Sequence, residues 1–145
     1  MKKLIIEVED SMKFSTNELW GSWRKAKGYK DDWHYWTEKA IENSSLKKFK
    51  GKVILVFSYQ WRKNMVDSSN CSVMSKWIED QMVRCGLFED DRNGFVVAVI
   101  NRSENLTLKQ RKALPTSWVE ITILEEKDKL FKDIFSLTET LWKQQ

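Results

Sequence analysis

The sequence predicts an α+β protein in which a mixed β-sheet packs against helices. Short apolar segments predict strands, and longer segments with helical periodicity predict helices, in the order β-α-β-α-β-β-α. Two consecutive strands near the end interrupt the alternation of strand and helix, which favours a mixed sheet over a purely parallel one. With 145 residues, of which 41% are hydrophobic, the chain is the size of a single domain spanning residues 1–145.

The first half of the chain predicts two strands and one helix. Residues 4–8 alternate apolar and polar side chains, as a half-buried strand does. Residues 14–29 mix glycine, serine and basic side chains, which indicates a loop or a broken helix. Asp31 and Asp32 then open a helical pattern, because acidic side chains in a first turn favour the helix dipole. Residues 52–59 are almost continuously apolar and predict a strand in the centre of the sheet.

The second half predicts a helix, two strands and a final helix. The helix at about 72–85 carries a row of apolar side chains and ends at Gly86, a residue type that favours helix C-termini. Strands are predicted at 95–100 and 118–124, with a basic loop between them. The last helix, at about 127–143, is amphipathic. Its predicted apolar row consists of Leu130, Ile134, Leu137 and Leu141.

Composition and charge indicate which classes of partner fit this chain. The formal net charge is +4, from 25 Lys and Arg against 21 Asp and Glu, and the acids are concentrated in a few places. The remaining surface is therefore more basic than the net charge suggests, and nucleic acid is a plausible partner. Lysine-rich solvated faces are also common, so charge alone does not decide. Most of the eight tryptophans are expected in the core, although exposed ones can stack on unpaired bases.

Cysteine and histidine are too few for several kinds of chemistry. Cys71 and Cys85 lack the spacing of zinc ligands, and His34 is the only histidine. A zinc site and a thiolate or histidine nucleophile are therefore not expected. We also find no signal peptide and no apolar segment long enough to cross a bilayer. The sequence predicts a cytoplasmic protein with reduced thiols and no membrane partner.

Carboxylates flank the predicted second helix. Asp67 precedes this helix, Asp90 and Asp91 follow it, and Lys76 and Asp80 lie on it one turn apart. Converging carboxylates can hold Mg²⁺ for phosphodiester hydrolysis. A single reversal of the chain through the helix would bring both acidic ends toward the same edge of the sheet. A lysine on the helix could then neutralise charge that builds up on the phosphate.

Each of these elements also has a simpler structural explanation. Lys76 and Asp80 could form an ordinary surface ion pair. Asp67 could belong to an Asx turn or a helix cap, and Asp90 and Asp91 could belong to a turn that leads into a strand. Only the combination favours a catalytic site.

The spacing of the acidic residues resembles the core motif of the RusA-type Holliday junction resolvases, in the variant with a longer spacing between the Asn and the Lys that is found among phage-borne members. The shared run is Asp67-x2-Asn70-x5-Lys76-x3-Asp80-x5-Gly86-x3-Asp90-Asp91. The loop with Ser15 and Asn17 after the first strand fits the same family. So do Arg62 and Lys63 after the central strand. The resemblance spans roughly residues 4–124.

The resemblance implies a Mg²⁺-dependent endodeoxyribonuclease, with Mn²⁺ as a substitute ion, that binds four-way DNA junctions as a homodimer in a bacterial or phage-infected cell. It would nick two strands symmetrically in recombination, repair or phage DNA processing, and a two-fold dimer supplies the two sites. The implied catalytic residues are Lys76, Asp67 and Asp91, the implied metal ligands are Asp67, Asp80, Asp90 and Asp91, and the implied supporting residues are Ser69 and Asn70. The DNA-binding candidates are Arg24, Lys25, Lys27, Arg62, Lys63, Lys109, Arg111 and Lys112.

One position departs from the commonest form of the family motif. Ser69 stands where that form has a second aspartate, so the site has one carboxylate fewer. A catalytically inactive relative that binds branched DNA or a protein partner therefore remains an alternative. A third interpretation is that the match arises by chance and that the tryptophan-rich surface serves an unrelated interaction.

Overall fold

The computed structural model describes residues 1–19, 21–89 and 94–144. Within these ranges the chain forms one four-stranded mixed sheet, with strand order β1-β4-β2-β3. The strands are β1 (Lys2–Val8), β2 (Val53–Gln60), β3 (Val96–Ser103) and β4 (Ser117–Glu125). Strand β4 is antiparallel to both β1 and β2, whereas β2 and β3 are parallel. The predicted α+β class with a mixed sheet is confirmed.

Strand β2 lies in the interior of the sheet, as its apolar run predicts. Val53, Ile54, Leu55 and Phe57 are completely buried, because helices cover both faces of this part of the sheet. The two strands that are consecutive in sequence, β3 and β4, are not neighbours in the sheet. Strand β4 instead inserts between β1 and β2.

The start of the long helix differs from the prediction. A short helix, α1 (Thr16–Leu19), is followed by α2 (Trp23–Glu42), so Asp31 and Asp32 lie in the middle of α2 rather than at its start. The Ser22 side chain accepts a hydrogen bond from the backbone N–H of Lys25 at 3.2 Å, and this cap begins the helix. The glycine and basic residues before Asp31 were therefore wrongly assigned outside the long helix.

Helix α3 (Ser72–Arg84) matches the prediction to within one residue. Met74, Trp77, Ile78 and Met82 are buried against the sheet and against α2. Gly86 follows the helix with a φ of 79°, the left-handed conformation that glycine adopts most easily.

The basic segment between β3 and β4 is a helix and not the predicted loop. Helix α4 (Leu108–Ala113) begins with a capping box: the Thr107 side chain accepts from the N–H of Gln110 at 3.2 Å, and the Gln110 side chain accepts from the N–H of Thr107 at 2.8 Å. The pattern Thr-x-x-Gln is visible in the sequence and is a typical helix start. The three predicted DNA-binding residues of this segment therefore lie on a helix.

Helix α5 (Lys129–Lys143) packs on the opposite face of the sheet from α2 and α3. The prediction of an amphipathic helix is confirmed, but its buried row is different. Phe131 is buried against Ile54 and Leu124, and Phe135 packs beside it. Of the predicted row, only Ile134 packs against this cluster. None of the described helices has an apolar stretch as long as a bilayer crossing requires.

Two glycine substitutions should change the free energy of unfolding in opposite directions. Gly86→Ala should destabilise by about 1 kcal/mol, because alanine strains the left-handed backbone. Gly28→Ala, inside α2 and with no atom within 4 Å of the added Cβ, should stabilise by about 0.5–1 kcal/mol. Urea unfolding followed by tryptophan fluorescence measures both. Destabilisation by Gly28→Ala would contradict a regular α2 at this position.

Candidate functional site

The segment with Asp67 lies at the carboxyl ends of the parallel strands β2 and β3. A 3₁₀ turn, Ser68–Cys71, connects it to α3. The Ser68 hydroxyl accepts from the N–H of Ser103, the last residue of β3, at 2.8 Å. On the other side, the Thr16 hydroxyl donates to the carbonyl of Asn70 at 3.1 Å. These bonds hold the turn at the end of the sheet where open α/β sheets usually bind ligands.

The carboxylate of Asp67 does not act as a cap. Asp67 occupies the N-cap position of the 3₁₀ turn, but its side chain makes no capping hydrogen bond and is exposed. The simpler explanation of Asp67 as a helix cap is therefore not supported by its hydrogen bonds. Its carboxylate is accessible to a ligand.

Asp67 and Asn70 line an open depression of about 490 Å³. Two further carboxylates, those of Asp10 and Glu18, line the same depression, and neither is among the site residues predicted from the sequence. Asp10 is already engaged, since it accepts from the hydroxyl of Ser117 at 2.7 Å. Asp10 lies two residues after the end of β1, and a carboxylate just beyond a strand is the sequence signal that could have identified it.

The depression does not form a complete metal cage. Among the described residues, no group of three or more His, Cys, Asp or Glu side chains is arranged to hold a metal ion. Ser69 is exposed and adds a hydroxyl where the family motif has a carboxylate. The described residues therefore do not fit a Mg²⁺ ion held by protein ligands alone.

Lys76 and Asp80 form an ion pair along α3, with the ammonium 3.0 Å from a carboxylate oxygen. Both belong to the outer surface of the helix, where Lys76 is exposed and Asp80 is half-buried. This is the ordinary surface ion pair, with partners one helical turn apart, that was the simpler explanation of these two residues. A role for Lys76 in phosphate chemistry requires its ammonium to leave Asp80.

Helix α3 carries the chain from one end of the sheet to the other. With 13 residues it is about 20 Å long, and it runs from the carboxyl end of β2 to the amino end of β3. Glu89 lies at that amino end, where it pairs with Lys48 at 3.4 Å. Glu89, the last described residue before the gap, therefore lies at the opposite end of the sheet from Asp67, and the expectation that both acidic ends meet at one edge stays a prediction. Asp90 and Asp91 lie outside the described residues.

Five of the eight predicted DNA-binding residues follow strands that end on the Asp67 side of the sheet. Arg62 and Lys63 follow the carboxyl end of β2, and the guanidinium of Arg62 donates to the carbonyl of Pro115 at 3.2 Å. Helix α4, which follows the carboxyl end of β3, carries Lys109, Arg111 and Lys112. The first turns of α2 carry Arg24, Lys25 and Lys27.

Lys13 adds a positive charge that the sequence analysis did not select. Its ammonium donates to the carbonyl of Asn64 at 2.8 Å and lines the Asp67 depression. Burial lowers the pKa of Lys13, Asp10 partly offsets this effect, and the positive charges of Lys63 and Arg111 lower the pKa further. Lys63 and Arg111 therefore add positive potential at the Lys13 side of this depression.

A buried hydrogen-bond network holds α3 against the sheet near the Asp67 end. The Ser75 hydroxyl donates to the side-chain oxygen of Asn101 on β3, so its single proton is used. Tyr59 on β2 must then donate its hydroxyl proton to Ser75, across 2.7 Å. The network joins β2, α3 and β3, and periodicity analysis could not detect it because its members are distant in sequence.

Neither cysteine is an activated nucleophile. Burial raises the pKa of Cys71 to about 12, and its thiol faces the carbonyls of Val66 and Asp67 at 3.7 and 3.5 Å. Partial burial also raises the pKa of Cys85. A thiolate is the reactive species, so both side chains are poorly suited to covalent catalysis.

Alkylation should distinguish the two thiols. With iodoacetamide at mildly alkaline pH, we expect Cys85 to react slowly and Cys71 to react only after denaturation, because Cys71 is fully buried. Mass spectrometry of tryptic peptides measures the two rates. Equal rates for both cysteines in the native protein would mean that the Ser68–Cys71 turn opens readily.

Comparisons with known proteins do not identify a family. No protein-family model matches the chain, and no curated protein sequence matches it significantly.

Proposed function

We propose that this chain is a RusA-type endonuclease that nicks four-way DNA junctions in a Mg²⁺-dependent reaction, as a homodimer. The observation that carries this proposal is that Lys13 lines the same depression as the exposed carboxylate of Asp67, with Lys63 and Arg111 close enough to act on its charge. Phosphate contacts from lysine and arginine position a DNA-binding protein on its substrate. A phosphodiester held by these cations would lie near Asp67.

An exposed tryptophan supports contact with unpaired bases. Trp23, at the start of α2, is exposed, and the guanidinium of Arg24 lies 5.7 Å from its ring centre. Aromatic side chains beside basic ones stack on unstacked bases while the cations bind phosphates. Such bases are present where a DNA junction opens.

Asp67 is the proposed anchor for the metal ion. Mg²⁺ commonly binds one or two carboxylates together with substrate phosphates and water, rather than a cage made of protein alone. When bound, the ion would stabilise charge on the reacting phosphate. Asp90, Asp91 and Asp80 remain candidate ligands of the proposal, and Lys76 its candidate cation for the phosphate.

A catalytically inactive relative that binds branched DNA is the second candidate. The specific observations in its favour are the serine at position 69 and the pairing of Lys76 with Asp80 at 3.0 Å. The basic surface would serve binding equally well in this case. Cleavage and binding must therefore be measured separately.

Cleavage of a synthetic four-way junction tests the enzyme proposal. We expect the wild-type protein to nick two opposing strands with Mg²⁺ or Mn²⁺, and Asp67→Asn to lower the rate by roughly 10- to 100-fold while junction binding is retained. Asp32→Asn, which removes an exposed carboxylate in the middle of α2, is the matched control and should cleave normally. Asp91→Asn tests whether Asp91, which lies outside the described residues, is also needed for cleavage.

The outcomes separate the candidates. Tight junction binding without cleavage in either metal would select the inactive relative. Absence of both binding and cleavage would refute both candidates and favour an interaction role unrelated to DNA.

Salt dependence tests which basic residues contact DNA. The double variant Lys63→Ala, Lys112→Ala should lower the slope of log affinity against log salt concentration by about 2, since each phosphate contact contributes about 0.9. The matched control is Lys47→Ala, Lys50→Ala, which removes two exposed lysines beside Phe49, at the other end of the sheet. Fluorescence anisotropy with labelled junction measures both. An equal loss in the two variants would mean that DNA does not prefer the Asp67 end.

A further inference from the structure

Strand β1 leaves one edge of the sheet open. Among the described residues, β1 pairs with β4 on one side and with no strand on the other. Successive residues of a strand direct their N–H and C=O groups to opposite sides, so half of the backbone groups of β1 face outward. At the other edge of the sheet, the Ser68 hydroxyl already accepts from the N–H of Ser103 on β3. An open edge of this kind binds another extended chain.

A groove runs along the open edge and gives access to it. It has a volume of about 540 Å³, and residues 3–7 of β1 form one of its walls. The other wall is one flank of α2, with Trp36, Lys39, Ala40 and Asn43. The indole of Trp36 is 43% exposed. The groove therefore combines unpaired backbone groups with a partly apolar wall.

The charges along β1 indicate which chain fits the edge. Lys3, Ile5 and Glu7 are exposed and alternate with buried residues, so they share one face of the strand. The basic and the acidic residue lie equally far from Ile5 on either side. When a second β1 runs antiparallel with Ile5 opposite Ile5, each Lys3 lies opposite Glu7 of the other copy. The strand is thus complementary in charge to itself about a two-fold axis.

The backbone allows this register. Two antiparallel strands form hydrogen bonds only when the opposed residues both face outward, which limits shifts between them to alternate registers. With Ile5 opposite Ile5, the whole strand Lys2–Val8 is paired. The neighbouring allowed registers place Ile5 opposite Lys3 or opposite Glu7, so that an apolar side chain faces a charge. The register with matched charges is therefore also the longest one.

Charged side chains on edge strands often prevent pairing, but these charges have the opposite effect. Charges of one sign on a strand repel a second copy of it, whereas Lys3 and Glu7 attract each other between copies. Lys3 pairs with Glu120 of its own chain at 2.9 Å, yet half of its side chain stays exposed. Glu7 forms no ion pair with any described residue. Both side chains can therefore contact a second copy.

The size of the contact suits a weak but specific dimer. The seven residues of β1 extend over about 23 Å, and the edge together with the α2 flank is roughly 20 Å deep. Two such surfaces bury roughly 900 Å² in total, which lies below the range of stable complexes and within that of transient ones. Roughly six to eight backbone hydrogen bonds would direct the contact. We therefore expect dissociation in the micromolar range.

We propose that β1 pairs antiparallel with β1 of a second copy of this chain, with Ile5 opposite Ile5 and Lys3 opposite Glu7. The pairing joins the two sheets into one and places both α2 flanks on the same face, where each covers the other's Trp36. It specifies the contact of the proposed homodimer. It rests on the edge strand alone, however, and does not require that the protein binds or cleaves DNA.

Sedimentation velocity of charge variants without DNA tests the pairing. The wild type should change from monomer to dimer across micromolar concentrations. Lys3→Glu and Glu7→Lys should each raise the dissociation constant about tenfold or more, because like charges then face each other. An equimolar mixture of the two variants should regain the wild-type affinity, since opposite charges then meet at both positions. Glu139→Lys on α5 is the matched control for the change of charge and should dimerise normally.

Circular dichroism verifies that every variant is folded. A wild type that stays monomeric, a dimer that Glu7→Lys leaves unchanged, a mixture that stays monomeric, or an equal loss in the control would each overturn the proposal. Junction cleavage judges the nuclease separately. A Glu7→Lys protein that is still dimeric and still cleaves would refute the β1 contact and leave the proposed function intact.

Disulfide trapping tests the register and the direction of the strands. Ile5→Cys alone should form disulfide-linked dimers on oxidation, because the two Cβ atoms at this position lie about 5 Å apart across the pair. Lys3→Cys alone should give no more linked dimer than the wild type, whose own cysteines set the background. Linkage of Lys3→Cys to itself would indicate a parallel pair. That result, or no linkage of Ile5→Cys beyond background, would overturn the proposed arrangement.

Discussion

The parallel pairing of β2 and β3 is the constraint on which the rest of the structure depends. Two parallel neighbours cannot be joined by a tight turn, so the chain must cross the full length of the sheet between them. Helix α3 makes this crossing, and its buried residues Met74, Ile78 and Met82 supply much of the core beneath it. The crossing also decides where functional groups lie, because residues before and after α3 are carried to opposite ends of the sheet.

This division gives the two ends of the sheet different chemistry. At the carboxyl ends of β2 and β3, the exposed Asp67 shares a depression with Lys13, and Lys63 and Arg111 lie close enough to act on the charge of Lys13. Such a cluster of cations would attract a polyanion. At the amino ends, Glu89 is paired with Lys48. A carboxylate surrounded by positive charge is a weak metal site in isolation. It becomes a better one when phosphates neutralise the cations and add oxygen ligands.

The parts of the fold that could be predicted from the sequence are those encoded by local patterns. The apolar run of β2, the apolar row of α3 and its end at Gly86 are of this kind. The start of α2 differs from the prediction because the helix begins at the Ser22 cap, whose hydroxyl accepts from the N–H of Lys25, and not at the acids Asp31 and Asp32. Insertion of β4 between β1 and β2 could not be predicted, because strand order is set by contacts between distant segments. In the site, the exposed carboxylate of Asp67 and the Tyr59–Ser75–Asn101 network likewise depend on tertiary structure.

The second face of the sheet is covered by α5 alone, through a small number of apolar side chains. A mixed sheet needs apolar cover on any face that carries side chains such as Ile54 and Leu124, and α5 supplies this cover through Phe131. One row of side chains is enough for that purpose, so the leucines of the other row contribute little to the stability of an isolated copy. Exposed apolar rows lower solubility and favour association.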